Sequence, residues 1–223
     1  MKTIRKNSKT INPKTMKKLF ALLVLFSISL TAFPQKGKWV ELFNGKNLDG
    51  WKISENSSSF SVVDGTIKVD GPRGHAFYDG PVGNHDFKNF ELKVEVKTMP
   101  KANSGIFIHT VFQETGWPNK GYEVQVNQTH GDWRKSGSLY SFNDVKDVYV
   151  KDGEWYTYHI IVNGDKATVK INDKVVMEYD ESEDTKRPAN AGEKKFDHGT
   201  IALQAHDPES VIYYKSVKVK ILD

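Results

Sequence analysis

The chain has 223 residues, 27% of them charged, no cysteine and a formal net charge of +4. That length suits one domain with a sizeable core, and the missing cysteines exclude disulfide stapling. The positive balance is concentrated in one place, which removes the argument for a nucleic-acid partner.

The first element is the N-terminal segment. Met1 to Lys18 carries seven Lys and Arg and no acid, and an apolar run of about 15 residues follows from Leu19 to Phe33. It ends in Thr31, Ala32, Phe33, Pro34 and Gln35. A basic stretch, a short apolar run and a small-residue exit form the pattern of a signal peptide over residues 1–35. The run falls short of the roughly 20 residues of a membrane span. Met16-Lys17-Lys18 would open a compact signal on its own. With residues 1–35 removed, residues 36–223 carry a charge of about −3. The expectation is one exported domain, periplasmic or extracellular, with no membrane contact after cleavage. No cysteine follows the apolar run, so no lipid anchor is expected.

From here on the hydrophobic period is 2. Phe90 to Lys97 reads FELKVEVK, Trp155 to Asn163 reads WYTYHIIVN, Lys166 to Asn172 reads KATVKIN, and Lys174 to Tyr179 reads KVVMEY. Thr200 to His206 and Val211 to Leu222 continue the pattern. Alternation rich in β-branched and aromatic residues marks half-buried strands. Asp64-Gly65, Asn163-Gly164-Asp165 and Asn172-Asp173 supply turn chemistry between them. Asp70 to Asp86 and Asp180 to Asp197 read as long surface loops. Around a dozen short strands in one domain predict an all-β fold, a two-sheet antiparallel β-sandwich or jelly roll.

Parity also sorts the side chains within strands. In NSGIFIHT (Asn103–Thr110), Ile106 and Ile108 point to the core, which sends Phe107 and His109 the other way. In GYEVQVN, Tyr122, Val124 and Val126 point inward, leaving Glu123, Gln125 and Asn127 outside. In TIALQAH, Gln204 and His206 face out, and in GSLYS so does Tyr140. Lys93 and Glu95 flank this set. Aromatics, amides, imidazoles and a carboxylate on one face match what sugars need, since amides and carboxylates bind hydroxyls and aromatic faces stack on C–H surfaces. Glu123, His109 and His206 are the candidate catalytic residues. Phe107, Gln125, Tyr140, Gln204, Glu95 and Trp133 are the candidate substrate contacts. Each has a plainer reading as a solvated strand residue, and Trp117, Trp133 and Tyr149 could equally cap the core or rim a groove. No cofactor is assigned, although His109, Glu123 and His206 together would suit a divalent metal as a secondary reading.

The opening WVELFNGKNLDGWK (Trp39–Lys52) resembles the start of the 3-keto-disaccharide hydrolase domain family. The resemblance runs on in order through FSVVDGTIKV, NFELKVEVK, NSGIFIH, GYEVQV, GSLY, GEWYTYHIIVNG and GTIALQAHD, from Trp39 to Leu222. It implies a concanavalin-like jelly roll, an exported protein and cleavage of glycosides already oxidised at C3. A ketone at C3 acidifies the C2 hydrogen, so a base can remove it, the C1 substituent leaves by β-elimination, and water adds. Such a site needs one base, a donor for the enolate oxygen and an acid for the leaving group. Glu123 or His109 would be the base, with His206 and Gln204 at the enolate and Tyr140 or Gln125 orienting hydroxyls. Two positions depart from the family pattern: His109 stands close to a usual basic residue, commonly Arg, and Asn127-Gln128 stand where an Asp is usual. The E-x-D-x-x-E strand of laminarinase-type jelly rolls is absent, so a two-carboxylate retaining mechanism is not expected. The alternative to an enzyme is a non-catalytic carbohydrate-binding module or lectin using the same face. A structural surface protein is a third.

Overall fold

The computed structural model describes residues 36–188 and 191–222. The expected signal peptide over residues 1–35 lies outside the described residues. Among the described residues thirteen strands follow one another: β1 (Trp39–Glu41), β2 (Trp51–Glu55), β3 (Phe60–Val63), β4 (Thr66–Asp70), β5 (Gly74–Tyr78), β6 (Phe90–Thr98) and β7 (Asn103–Thr110), then β8 (Tyr122–Asn127), β9 (Tyr156–Asn163), β10 (Lys166–Ile171), β11 (Lys174–Asp180), β12 (Thr200–Ala205) and β13 (Val211–Ile221). They form two antiparallel sheets. The large one runs β11-β10-β9-β6-β13-β4-β3, with β1 also on β13. The small one runs β2-β5-β12-β7-β8. Neighbours in the small sheet can lie far apart in sequence, with β12 standing between β5 and β7, because the chain repeatedly crosses between layers, as expected of a jelly roll.

The alternation read from the sequence decides which face of each strand is buried. Leu92, Val94 and Val96 of β6, Ile160 and Val162 of β9, and Val217 and Val219 of β13 belong to one buried cluster. Ile106, Ile108, Val124, Val126, Ile201 and Leu203 of the small sheet complete it. Each such side chain contributes about 1.5–3 kcal/mol on burial. Three tyrosines of the large sheet carry hydroxyls into this interior, and each finds a partner in the small sheet or beside it. Tyr158 donates to the Gln125 carbonyl at 2.7 Å, Tyr214 meets Ser104 Oγ at 2.8 Å, and Tyr156 accepts from Gln128 Nε2 at 2.9 Å. These three hydroxyls are therefore satisfied by the protein itself, as burial requires.

Two departures from the sequence reading bear on function. The expected loop Asp70–Asp86 contains β5, GHAFY, a central strand of the small sheet. All five of its residues are buried. Both of its faces are covered, so no alternation of polar and apolar residues betrays it. The second departure is a bulge. Thr200 pairs with Thr110, yet Ala202 pairs with Phe107, so the register slips by one residue around His109. His109 itself adopts φ +53°. A residue gained by one strand of an antiparallel pair breaks the strict two-residue period. Gly121 and Gly199 make this possible, since a Cβ on either would lie within 2.4 Å of the carbonyl oxygen of Ile108 or Thr110.

Candidate active site

The outer face of the small sheet carries side chains in cross-strand rows. Lys52 pairs with Phe77, Phe77 with Ala202, Ala202 with Phe107, and Phe107 with Glu123. The adjacent row runs Ser54, His75 and Gln204, with Gln125 opposite Gly105 on β7 and β8. Strands are about 4.8 Å apart, so a row of five spans roughly 19 Å. Segment 111–121, between β7 and β8, crosses this face. Phe112 packs on Phe77 at 5.4 Å between ring centroids, and Trp117 lies edge-on to His75 at 5.8 Å.

A cavity of about 380 Å³ opens beside that segment. Phe107, Glu123, Gln125, Tyr140, Gln204 and His206 line it, and so do Asn103, Trp117, Asn119, Asp132 and Lys194. Its size is that of a small-molecule site. A second cavity of about 350 Å³ lies on the same face around Lys52, Phe77, Thr110, Phe112 and His198. None of the candidate residues lines that one.

Glu123 is the centre of the first cavity. Its carboxylate folds across Gly105, where a Cβ would stand 2.4 Å from Glu123 Oε1. Any side chain at position 105 would displace the acid, so the glycine holds the space it occupies. Gln204 Nε2 donates to Glu123 Oε1 at 3.1 Å. Burial pushes the Glu123 carboxyl up to about 7, against the opposing pull of the Gln204 bond and the Lys194 charge. Loss of solvent disfavours the charged form more than these partners favour it. The Lys194 amine is itself lowered by burial and raised by Glu123. It donates to the carbonyls of Pro118 and Gly121 at 3.1 and 3.4 Å.

The remaining polar groups are held from behind. Gln125 Nε2 donates to Asn103 Oδ1 at 2.7 Å, which leaves Gln125 Oε1 buried without a partner. Gln204 Oε1 is likewise unpartnered. His206 Nδ1 bonds Asp207 Oδ2 at 2.7 Å, an arrangement that fixes the imidazole, and its ring lies 5.3 Å from Trp117. The Tyr140 amide donates to the Glu123 carbonyl at 2.9 Å, placing its ring at the cavity wall. Arg134 stacks 4.5 Å from that ring and pairs with Asp144 and Asp132 at 3.2 and 3.6 Å. Trp117 is 44% exposed, an aromatic platform left open at the cavity.

Three expected site residues stand elsewhere. His109 is buried, packed edge-on against Phe90 and Phe196. Its Nε2 bonds the Lys88 carbonyl at 2.9 Å and its Nδ1 accepts from the Asp197 amide at 3.1 Å. The bulge turns it away from the face that parity assigned to it. It stands outside the lining of the Glu123 cavity, and the metal trio of His109, Glu123 and His206 does not converge. Among the described residues, no group of three or more His, Asp or Glu is arranged to hold a metal ion. Glu95 lies on β6 of the other sheet, where it pairs with Lys215 at 3.0 Å. Parity names a face of one strand but not the sheet to which the strand belongs. Trp133, 49% exposed, sits over Arg134 outside the cavity lining.

The sequence reading missed Lys194, Asn119, Asp132 and His75. The first three sit in irregular segments with no period to read. His75 was legible in principle: in GHAFY, Ala76 and Tyr78 belong to the core, so His75 and Phe77 share the opposite face.

The fold and cavity define a two-layer antiparallel jelly-roll domain with a polar, aromatic-walled site on its smaller sheet. The chain belongs to the 3-keto-alpha-glucoside-1,2-lyase-like domain family, whose model matches residues 38–220. A 3-keto-disaccharide hydrolase from Bacteroides thetaiotaomicron is 28% identical, over 83% of this chain and 79% of that protein. A protein assigned as a glycosyl hydrolase from Parabacteroides distasonis shares the fold at TM-score 0.67 and 22% identity, covering 83% of this chain and 94% of that one. The lumenal domain of VIP36, with bound Ca2+ and an oligosaccharide containing mannose and N-acetylglucosamine, has the same fold at TM-score 0.54 and 10% identity, over 86% and 91% of the two chains.

Proposed function

We propose that this chain cleaves 3-keto-glycosides, 3-keto-disaccharides among them, by proton abstraction at C2, β-elimination at C1 and hydration. The observation that carries this reading is Glu123: a carboxyl whose burial raises it to about 7, in a cavity lined otherwise by amides, aromatics, Lys194, His206 and one further acid, Asp132. A carboxylate of that basicity is a better general base at neutral pH than an ordinary one. The family match and the 3-keto-disaccharide hydrolase relative support the substrate class.

In this mechanism Glu123 accepts the C2 proton, and the C2–H electron pair becomes the C2–C3 double bond of an enolate at the former ketone. The Lys194 ammonium stabilises the developing charge on the enolate oxygen. Collapse of the enolate restores the ketone, forms a C1–C2 double bond and expels the C1 oxygen. That oxygen takes a proton from His206, which Asp207 orients. Water then adds its hydroxyl at C1 and a proton at C2, and the net result is hydrolysis. Gln125 and Gln204, each with a buried acceptor free, bind ring hydroxyls. Trp117 and Tyr140 stack on the sugar's C–H faces. The domain would act after export, in the periplasm or outside the cell.

The test is turnover of methyl 3-keto-α-glucoside and 3-keto-trehalose by the wild-type chain and by Glu123→Gln. The acid-to-amide change should leave circular dichroism intact and lower kcat by roughly 10²–10⁴-fold, the range of a general base. Undiminished kcat would remove Glu123 from the chemistry. Binding of these sugars without turnover by the wild-type chain would favour the other reading, a non-catalytic carbohydrate-binding domain, which the free amide acceptors would serve equally.

A further inference from the structure

His75 is a fully buried imidazole, and among the described residues neither of its ring nitrogens has a hydrogen-bond partner. Its surroundings are aromatic: Phe107 at 5.3 Å, Trp117 at 5.8 Å and Phe77 at 6.0 Å between ring centroids. Buried polar groups without partners are rare in native proteins and expensive, and each calls for an explanation. His75 also does not stand alone. It pairs across strands with Gln204, whose Oε1 is orphaned too and whose amide nitrogen bonds Glu123. An unpaired donor–acceptor ring therefore adjoins the wall of the Glu123 cavity, covered by Trp117.

Segment 111–121, which carries that cover, is built as a unit. The Gln113 side chain donates to the carbonyls of Thr115 and Trp117 at 2.6 and 2.8 Å and accepts from the Asn119 amide at 3.1 Å. Its attachment to β2 runs through Glu55, whose amide donates to the Glu114 carbonyl at 3.2 Å and whose Oε1 accepts from the Gly116 amide at 2.5 Å. Lys194 also holds the segment, donating to the carbonyls of Pro118 and Gly121 at 3.1 and 3.4 Å, and Arg73 lies 5.1 Å from the Trp117 ring. Lifting Trp117 off His75 therefore means releasing these contacts, and the residues closed on Gln113 move as one piece when they move.

We propose that His75 is an additional substrate contact, a donor and acceptor for a sugar hydroxyl that becomes reachable when segment 111–121 lifts and brings the Trp117 platform onto the bound ring. This rests on the 3-keto-glycoside reading, because it extends the same cavity. Burial lowers the His75 imidazole to about 4, so it is neutral near pH 7 and offers one donor and one acceptor rather than two donors. A neutral imidazole pairs with a hydroxyl in either direction, which suits a sugar.

The experiment compares wild type, His75→Phe and His75→Gln in thermal unfolding and in turnover of methyl 3-keto-α-glucoside. Phenylalanine keeps the ring and removes both orphaned nitrogens. His75→Phe should therefore raise Tm by a few degrees while lowering kcat/KM about tenfold or more. Glutamine keeps a donor and an acceptor, so His75→Gln should hold kcat/KM within about threefold of wild type. A more stable His75→Phe with undiminished kcat/KM overturns the assignment and makes the ring, with any buried water, mere filling. Parallel losses of Tm and kcat/KM in both variants overturn it as well, since they mark a packing role. No turnover by the wild-type chain would instead defeat the proposed function, and this extension with it.

Discussion

The sandwich has two outer faces, and they treat polar side chains in opposite ways. On the large sheet, Glu91 accepts from Lys220 at 2.6 Å and bonds His159 at 2.8 Å, and Glu95 pairs with Lys215 at 3.0 Å. These carboxylates are neutralised by partners on the same sheet. On the small sheet the polar atoms are more deeply buried, yet His75, Gln125 and Gln204 each keep at least one without a partner. Among the described residues, the Glu123 carboxylate has only the Gln204 amide as its hydrogen-bond donor. Unpaired groups of this kind cost about 1–3 kcal/mol each. Under the proposed function, a bound sugar supplies the partners that the fold withholds from these groups. The contrast teaches that the informative property of a polar strand residue is not its type but whether the fold has already satisfied it.

The sharpest way to break the comparison is with pH. Glu123 must be ionised to act as a base, and its carboxyl is raised to about 7. Below that value kcat/KM should fall about tenfold per pH unit, so that pH 5 costs roughly 100-fold. The Gln204 hydrogen bond pulls the carboxyl downward, so Gln204→Leu should move this acid limb to higher pH. An acid limb near pH 4.5 in the wild type would show that Glu123 is solvated like its counterparts on the large sheet. The same raised carboxyl has a signed effect on stability. Between its unfolded value and about 7 the folded chain holds the extra proton, so stability falls as pH rises through that window. Glu123→Gln should abolish this loss, with the gain in Tm greatest at pH 8 and absent at pH 4.

Trp117 tests the aromatic half of the site. Trp117→Ala should raise KM about tenfold with a smaller change in kcat, measured on a 3-keto-glucoside. An unchanged KM would demote it to a lid over His75. His109 tests the bulge. With both ring nitrogens bonded to backbone, His109→Ala should cost about 2 kcal/mol in denaturant unfolding. The kcat of the folded fraction should stay near wild type, as befits a residue outside the cavity. The smallest effect belongs to Glu95→Gln. Its side chain is 31% exposed and its partner Lys215 is 54% exposed. Such a pair contributes at most about 1 kcal/mol, and kcat/KM should not move.

Much of this was legible in the residues themselves. FELKVEVK and WYTYHIIVN specify strands with one buried face, and the turns at Asp64-Gly65 and Asn172-Asp173 sit where hairpins close, with Asp64, Asn172 and Asp173 all at positive φ. Parity also placed Phe107, Glu123, Gln125 and Gln204 on one face, because β7, β8 and β12 keep their two-residue period there. It failed at His109, where one extra residue turns the side chain inward. It also failed at β5, where burial of both faces erases the pattern.

What the sequence determined by itself is therefore local: which segments extend, which side of each strand is apolar, and the family to which the ordered motifs belong. The tertiary structure alone decided that Glu95 and Glu123 lie on different sheets. It also brought Lys194 and Trp117 from irregular segments to the carboxylate, and left His75 unpaired beneath its cover. The reason is physical. Strand parity is written in neighbouring residues. Sheet order, the desolvation of a carboxyl and the satisfaction of a buried imidazole depend on groups tens to more than a hundred positions away.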